Sequence, residues 1–418
     1  MLRRLITNRA LWALTLVLIL SENASSYSVL AHQALVDLLW QDRITPLLLK
    51  RFPDLTPEQL RDAHAHAYGG CIIQDMGYYP FSNKYFSDLL HYVRSGDFIE
   101  MLIAESQDAN EYAFALGALA HYAADNSGHA LGTNRVVPIY YPKLRRKYGD
   151  LVTYEQNPSA HIKAEFGFDV LQVARGNYAS EDYHNFIGFK VAKPVLERAF
   201  FKTYGIKLSD VITNQGLAFN TYRRAVSRTI PYMTKVAWEI KKDEISKLVP
   251  NMSRERFVYS YSREQYEQEF GKQYRKPSLL QKTLALFFRV LPKVGPLRAL
   301  EFKTPTLETE RIFAESFLQV SRDYKRLLEE IENGQFDFEN RDFDTGQLTR
   351  AGEYGLTDKT YMKLLSQLDK EKFKNITPAL KADIVRFFND LKTLPMDKKN
   401  RKKWHKTEQA LNRLRTTL

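Results

Sequence analysis

The chain has a single cysteine, Cys71, so no intramolecular disulfide can form. Exported proteins often carry such bridges, but 418 residues can bury a stable core without them. Strand signals are also scarce. Alternating β-branched runs are short, whereas apolar residues recur at three- and four-residue spacing over long stretches, which argues for helices. No internal repeat or low-complexity tract is present, and with 44% hydrophobic and 13% aromatic residues most of the chain is excluded from disorder. Negative charge is in deficit: 49 acidic residues face 61 Lys and Arg, for a net charge of +12. This excess favours encounter with phospholipid surfaces, nucleic acids or phosphorylated substrates, and says nothing about chemistry. No segment after the first 26 residues has the length and apolarity of a membrane span.

The start of the chain reads as an export leader. Arg3, Arg4 and Arg9 precede an apolar run over 10–20, and Ala24 and Ser26 are small residues at −3 and −1 of a cut before Tyr27. The alternative is an uncleaved, membrane-associated helix, although the run is shorter than the roughly 20 residues a span requires. The expected location is outside the cytoplasm, periplasmic or extracellular, with membrane association left open.

Helical periodicity is clearest over 28–40, 56–67, 112–124, 159–174 and 307–332. Thr56 followed by Pro57 and Glu58 is a helix start, and Pro158–Ser159 opens the segment containing His161. The fold class expected is all-α. Eight of the nine histidines lie before residue 200, and only His405 follows. The chain is therefore expected to divide into a leader over 1–26, a catalytic region over 27–200 and a basic helical extension over 201–418. Within the extension, 279–291 reads either as a basic amphipathic helix able to lie on an anionic membrane or as a core helix with a few solvated cations. The basic run at 398–406 is a solvated tail or a phosphate-attracting patch.

The most informative segment is His121-Tyr-Ala-Ala-Asp125-Asn-Ser-Gly-His129, whose i, i+4, i+8 spacing lines up three metal-binding side chains on a helix. His161 and Glu165 repeat the i, i+4 pair. Imidazole and carboxylate donors together suit zinc. His32, Asp75 and His91 add further donors, most of the set in apolar or small-residue contexts. A charge on an apolar face costs several kcal/mol unless paired or metal-bound, and a metal cluster satisfies all of these residues together.

In this order the residues resemble the zinc-dependent phospholipases C, whose fold is shared by the S1/P1-type nucleases. The shared pattern is a mature N-terminal residue, then His, Asp, His, His-x-x-x-Asp, His and His-x-x-x-Asp/Glu. It is matched by Tyr27, His32, Asp75, His91, His121 with Asp125, His129, and His161 with Glu165. The resemblance implies a multi-helix bundle, with the helical extension after it, holding two or three zinc ions. Asp75, His91, His121 and Asp125 would hold one, and His129, His161 and Glu165 a second. His32 and Asp125 would hold a third, completed by the amino group and carbonyl of a mature N-terminal Tyr27. It also implies phosphodiester hydrolysis, with Asp75 as catalytic base and Glu165 as the alternative. A glycerophospholipid is the expected substrate; single-stranded nucleic acid, another phosphoester, or a binding role without catalysis are the alternatives.

Three features depart from the family pattern. Tyr27 stands where Trp is common, the Asp125–His129 interval is two residues shorter than usual with Gly128 inside it, and residues after about 200 have no counterpart. His64 and His66 fall outside the pattern and read as supporting or surface residues, as do His184 and His405. Asn126 and Asn134 could hydrogen-bond ligands or phosphate. The Tyr78, Tyr79, Pro80 and Phe81 cluster could wall a cleft or fill the core. Cys71 has no local feature that marks a nucleophile.

Overall fold

The computed structural model describes residues 29–175, 187–230, 233, 301–391 and 398–416. The expected leader, Tyr27, His184 and the 279–291 helix lie outside the described residues. The all-α expectation holds: the described residues contain no strand, only one isolated bridge between Arg341 and Leu348.

The first part of the chain forms helices α1 (Val29–Leu39), α2 (Thr45–Arg51), α3 (Pro57–Gly70), α4 (Lys84–Tyr92), α5 (Ser95–Ala104) and α6 (Ala109–Gly128). It continues with α7 (Asn134–Tyr140), α8 (Pro142–Tyr148) and α9 (Pro158–Arg175). After these come α10 (Lys193–Tyr204), α11 (Leu208–Val211), α12 (Gln215–Arg224), α13 (Leu307–Glu332), α14 (Gly355–Lys370), α15 (Pro378–Leu391) and α16 (Lys398–Thr416).

Several boundaries follow from local chemistry. Thr56 caps α3: its hydroxyl accepts from the Gln59 amide, and the Gln59 side chain accepts from the Thr56 amide. Asp108 caps α6 through the Glu111 amide, and Asn157 does the same for α9 through the Ala160 amide.

Helix α6 is the axis of the fold. Every residue from Glu111 to Asp125 is buried, as expected for a helix that is apolar or small on all faces. Its alanines and glycine allow very close neighbours. A Cβ added at Gly117 would lie 2.1 Å from the Ala67 carbonyl oxygen, and one added at Gly70 would lie 2.0 Å from that of Phe114. Thus α3 and α6 touch backbone to backbone. On another side of α6 lies α13, whose buried residues Ile312, Phe313, Ser316, Val320, Tyr324, Leu327 and Ile331 follow helical spacing. The Tyr324 hydroxyl donates to the Leu116 carbonyl at 3.0 Å, so helices from both sides of residue 200 share one core.

Past α13 the chain runs back over the first part. The Asn340 side-chain oxygen accepts from the amides of Gly96 and Asp97 and so caps α5 from a distant segment. The turn that follows ends at Gly346, which has φ +70° and packs where a Cβ would lie 2.2 Å from the Asn126 carbonyl oxygen.

Candidate metal centre

Six elements deliver donors to one buried region. Helix α1 carries His32, the 3₁₀ turn Ile73–Tyr78 carries Asp75, and α4 carries His91. Helix α6 carries His121 and Asp125, and α9 carries His161 and Glu165. His129 opens a π-helical turn, His129–Thr133, that continues α6. This wider turn supplies the local geometry of the short Asp125–His129 interval. None of the eight residues is more than 5% exposed.

The donors fall into three groups: His32, His121 and Asp125; Asp75, His91 and His121; and His129, His161 and Glu165. Within each group one atom per residue lies within 4.8 Å of the others. Asp125 sits at the hub. Its Oδ1 is 3.2 Å from His32 Nε2, and its Oδ2 is 3.1 Å from His121 Nε2, 3.5 Å from His91 Nε2 and 3.7 Å from His129 Nε2. His91 Nε2 is also 3.3 Å from Asp75 Oδ1. At the other end Glu165 Oε1 lies 3.5 Å from His129 Nδ1 and 3.8 Å from His161 Nδ1.

These distances test whether the residues fit zinc. Four donors held about 2.0–2.1 Å from the ion at tetrahedral angles stand about 3.3 Å apart. Several of the atoms concerned, including Asp75 Oδ1 and Oδ2, Asp125 Oδ2, His161 Nδ1 and Glu165 Oε1, make no hydrogen bond although buried. The opposite ring nitrogens are anchored: His91 Nδ1 to the Ser87 carbonyl at 2.8 Å, His121 Nδ1 to that of Cys71 at 3.1 Å, and His161 Nε2 to that of Val152 at 2.5 Å. A ring N–H donated to a carbonyl leaves the other nitrogen's lone pair facing the centre, the usual arrangement behind metal-ligating histidines. The residues fit the metal.

The electrostatics describe a site crowded with charge. Burial opposes charge on His91, but the carboxylates of Asp125 and Asp75 outweigh it and raise the group to about 10. His129 is raised to about 9 against burial by Asp125 and then Glu165. Burial would raise Asp125, yet His121 and His129 hold it well below the usual carboxylate range. Burial pushes Glu165 up to about 8 and His161 down to about 4, the latter helped by the charge of His129.

The stretch that carries these groups, residues 31–214, matches the family model described as zinc dependent phospholipase C. Residues 31–214 belong to that family. The phospholipase C segment is therefore that of a zinc-dependent hydrolase. Searches of curated proteins and of solved structures returned no match.

The remaining sequence candidates take other places. His64 is buried away from the three groups, stacked on Trp40 at 3.9 Å with its Nε2 2.9 Å from Asp37 Oδ1. His66 Nδ1 donates to the Asp62 carbonyl, and His405 is exposed. Tyr78, Tyr79 and Pro80 are buried in the core, while Phe81 is half exposed. Burial pushes the Cys71 thiol up, which leaves it unsuited as a nucleophile. Asn134 donates from its side chain to the Asp344 carbonyl at 2.7 Å.

Sequence reasoning missed the turn after Asn340. The Phe343 amide donates to the His91 carbonyl at 3.2 Å, and the Phe343 ring lies 5.1 Å from the His91 ring and 5.9 Å from that of His121. Asp342-Phe-Asp-Thr-Gly346 carries a turn signal, but nothing local tells which helix such a turn will meet.

Proposed function

We propose that the protein is an exported phospholipase C that hydrolyses glycerophospholipids at a centre of two or three zinc ions. The reading is carried by the convergence of five imidazoles and three carboxylates, buried, with donor atoms 3.1–3.8 Å apart. Asp75, His91, His121 and Asp125 would hold one ion; His129, His161 and Glu165 a second; and His32 and Asp125, completed by the freed amino group and carbonyl of Tyr27, a third. Leader removal before Tyr27 would then be part of site assembly as well as export to a periplasmic or extracellular location. Bound zinc supplies Lewis-acid stabilisation of the phosphate and a low-pKa water at neutral pH.

The protein's own groups divide the remaining work. Asp75 orients the attacking water and takes its proton, with Glu165 as the alternative base. Anchored imidazoles hold the donors in place without reorganisation. Water adds to phosphorus, the bond from phosphorus to the glycerol oxygen breaks, and that oxygen takes up a proton. The products are diacylglycerol and a phosphorylated head group. The net charge of +12 supports peripheral contact with anionic lipid, and equally supports a second reading, cleavage of single-stranded nucleic acid. Zinc per chain by mass spectrometry, followed by product analysis on phospholipid vesicles and single-stranded DNA, tests both. Diacylglycerol release supports the first reading and mononucleotides the second, whereas less than one zinc per chain in a stable fold overturns the catalytic assignment.

A further inference from the structure

The turn at 340–346 lies well outside the family-matched segment, yet it is built into the metal centre. Asp342 organises the turn: its Oδ1 accepts from the amides of Asp344 and Thr345, and its Oδ2 accepts from the Thr357 hydroxyl at 2.7 Å. Asp344 is used differently. It is wholly buried, and its Oδ2 accepts from the hydroxyls of Tyr92 at 2.8 Å and Tyr354 at 2.5 Å. Oδ1 is buried with no hydrogen-bond partner, and no lysine or arginine among the described residues pairs with the carboxylate.

Its surroundings are the metal centre. The Asp344 carbonyl accepts from Asn134, whose own carbonyl accepts from the Val152 amide, and the Val152 carbonyl accepts from His161 Nε2. Tyr92 follows His91 directly, and Phe343 is bonded to the His91 carbonyl. The field of Asp344 reaches His129, His161 and Glu165. A buried carboxylate with only neutral donors is costly unless a positive charge stands nearby. The His129, His161 and Glu165 group, linked to Asp344 through Asn134 and Val152, is a place for one.

We propose that Asp344 is a positioning residue of the metal centre: a buried anion, oriented by Tyr92 and Tyr354, that offsets the charge of the ion held by His129, His161 and Glu165. The inference rests on the zinc reading above and adds a residue to it from the distant part of the chain. Asp344 contributes to ion affinity through its charge and the two tyrosines by orienting it, none of them a ligand, so their loss weakens zinc binding while the eight donors remain.

The test uses the full chain, with zinc affinity measured by competition against a chromophoric chelator and melting recorded with and without zinc. Asp344→Asn keeps the shape and removes the charge. It is expected to lower affinity for the weakest-bound ion by about 10- to 100-fold, the range for altered outer partners of metal ligands, and to leave the zinc-free melting temperature unchanged or higher. Asp342→Asn, in contrast, is expected to lower melting equally with and without zinc. Unchanged affinity in Asp344→Asn, or an equal loss of stability in both states, overturns the proposal and makes Asp344 a neutral structural group. Should Asp344→Asn fail to fold, Tyr354→Phe removes one orienting hydroxyl and serves in its place: weaker zinc binding supports the proposal and unchanged binding overturns it. A wild-type chain that binds no zinc would instead sink the reading beneath it.

Discussion

The contact between α3 and α6 gives a sharp test of how the fold holds the metal centre. Gly117 lies one helical turn before His121, and a Cβ there would sit 2.1 Å from the Ala67 carbonyl oxygen and 3.0 Å from the Ala67 Cα. Ordinary contact begins at 3.4 Å, and the obstacle is backbone, which cannot swing aside. Gly117→Ala must therefore push the helices apart by about 1 Å. In an unobstructed helix the same change would stabilise by about 1 kcal/mol; here overpacking reverses the sign, for a net loss of about 1–3 kcal/mol. The shift also reaches the centre. Cys71 follows α3, and its carbonyl anchors His121 Nδ1 at 3.1 Å, so a displacement of about 1 Å takes that bond beyond hydrogen-bond range. Ligand distances in a sound metal site keep within about 0.2 Å of their usual values, so zinc content should fall along with stability. The control is Gly216→Ala in α12, where the nearest atom to the new Cβ is Asn214 Oδ1 at 3.9 Å, and stability should hold or rise slightly. Urea unfolding and zinc per chain read both effects. A Gly117→Ala protein with full zinc and stability within about 0.5 kcal/mol of wild type would refute the reasoning.

Two further outcomes are expected. Asp125→Asn removes the hub carboxylate and should cost more zinc than His161→Ala, which touches one group; equal losses by mass spectrometry would show that the groups are not linked through Asp125. In the zinc-free protein, His91 at about 10, His129 at about 9 and Glu165 at about 8 all lie above their unfolded values of 6.5, 6.5 and 4.5. The folded state thus binds the extra protons, and the stability they contribute is fully present below the unfolded values and lost as pH rises through 8 to 10. Zinc displaces those protons, so the chelated protein should lose melting temperature between pH 7 and 10 while the zinc-loaded protein loses much less. Parallel pH curves for the two forms would contradict this.

Much of the site was legible in the sequence because its donors sit at helical spacing. His121 with Asp125 and His161 with Glu165 are each one turn apart, so the helices alone bring each pair to one face. The caps at Thr56 and the proline at 158 were legible for the same reason, since capping is chemistry between residues a few positions apart. His129 was legible as a candidate donor, but its π-helical turn was not, because no residue type marks a widened turn.

The pattern of residues by itself determined the all-α class, the set of candidate donors and the kind of metal they suit, because periodicity and donor chemistry are local properties. Only the tertiary structure decided that Asp125 lies among the candidate donors as their hub, that Gly70 and Gly117 allow α3 and α6 to touch, and that Phe343 meets the His91 backbone while Asp344 meets Tyr92 and Asn134. Those facts depend on which surfaces meet after folding: Asp344 lies 179 positions beyond Glu165, the last residue of the pattern, and reaches the centre through its bonds to Tyr92 and Asn134. Sequence spacing carries no record of such contacts; the burial of the shared core creates them.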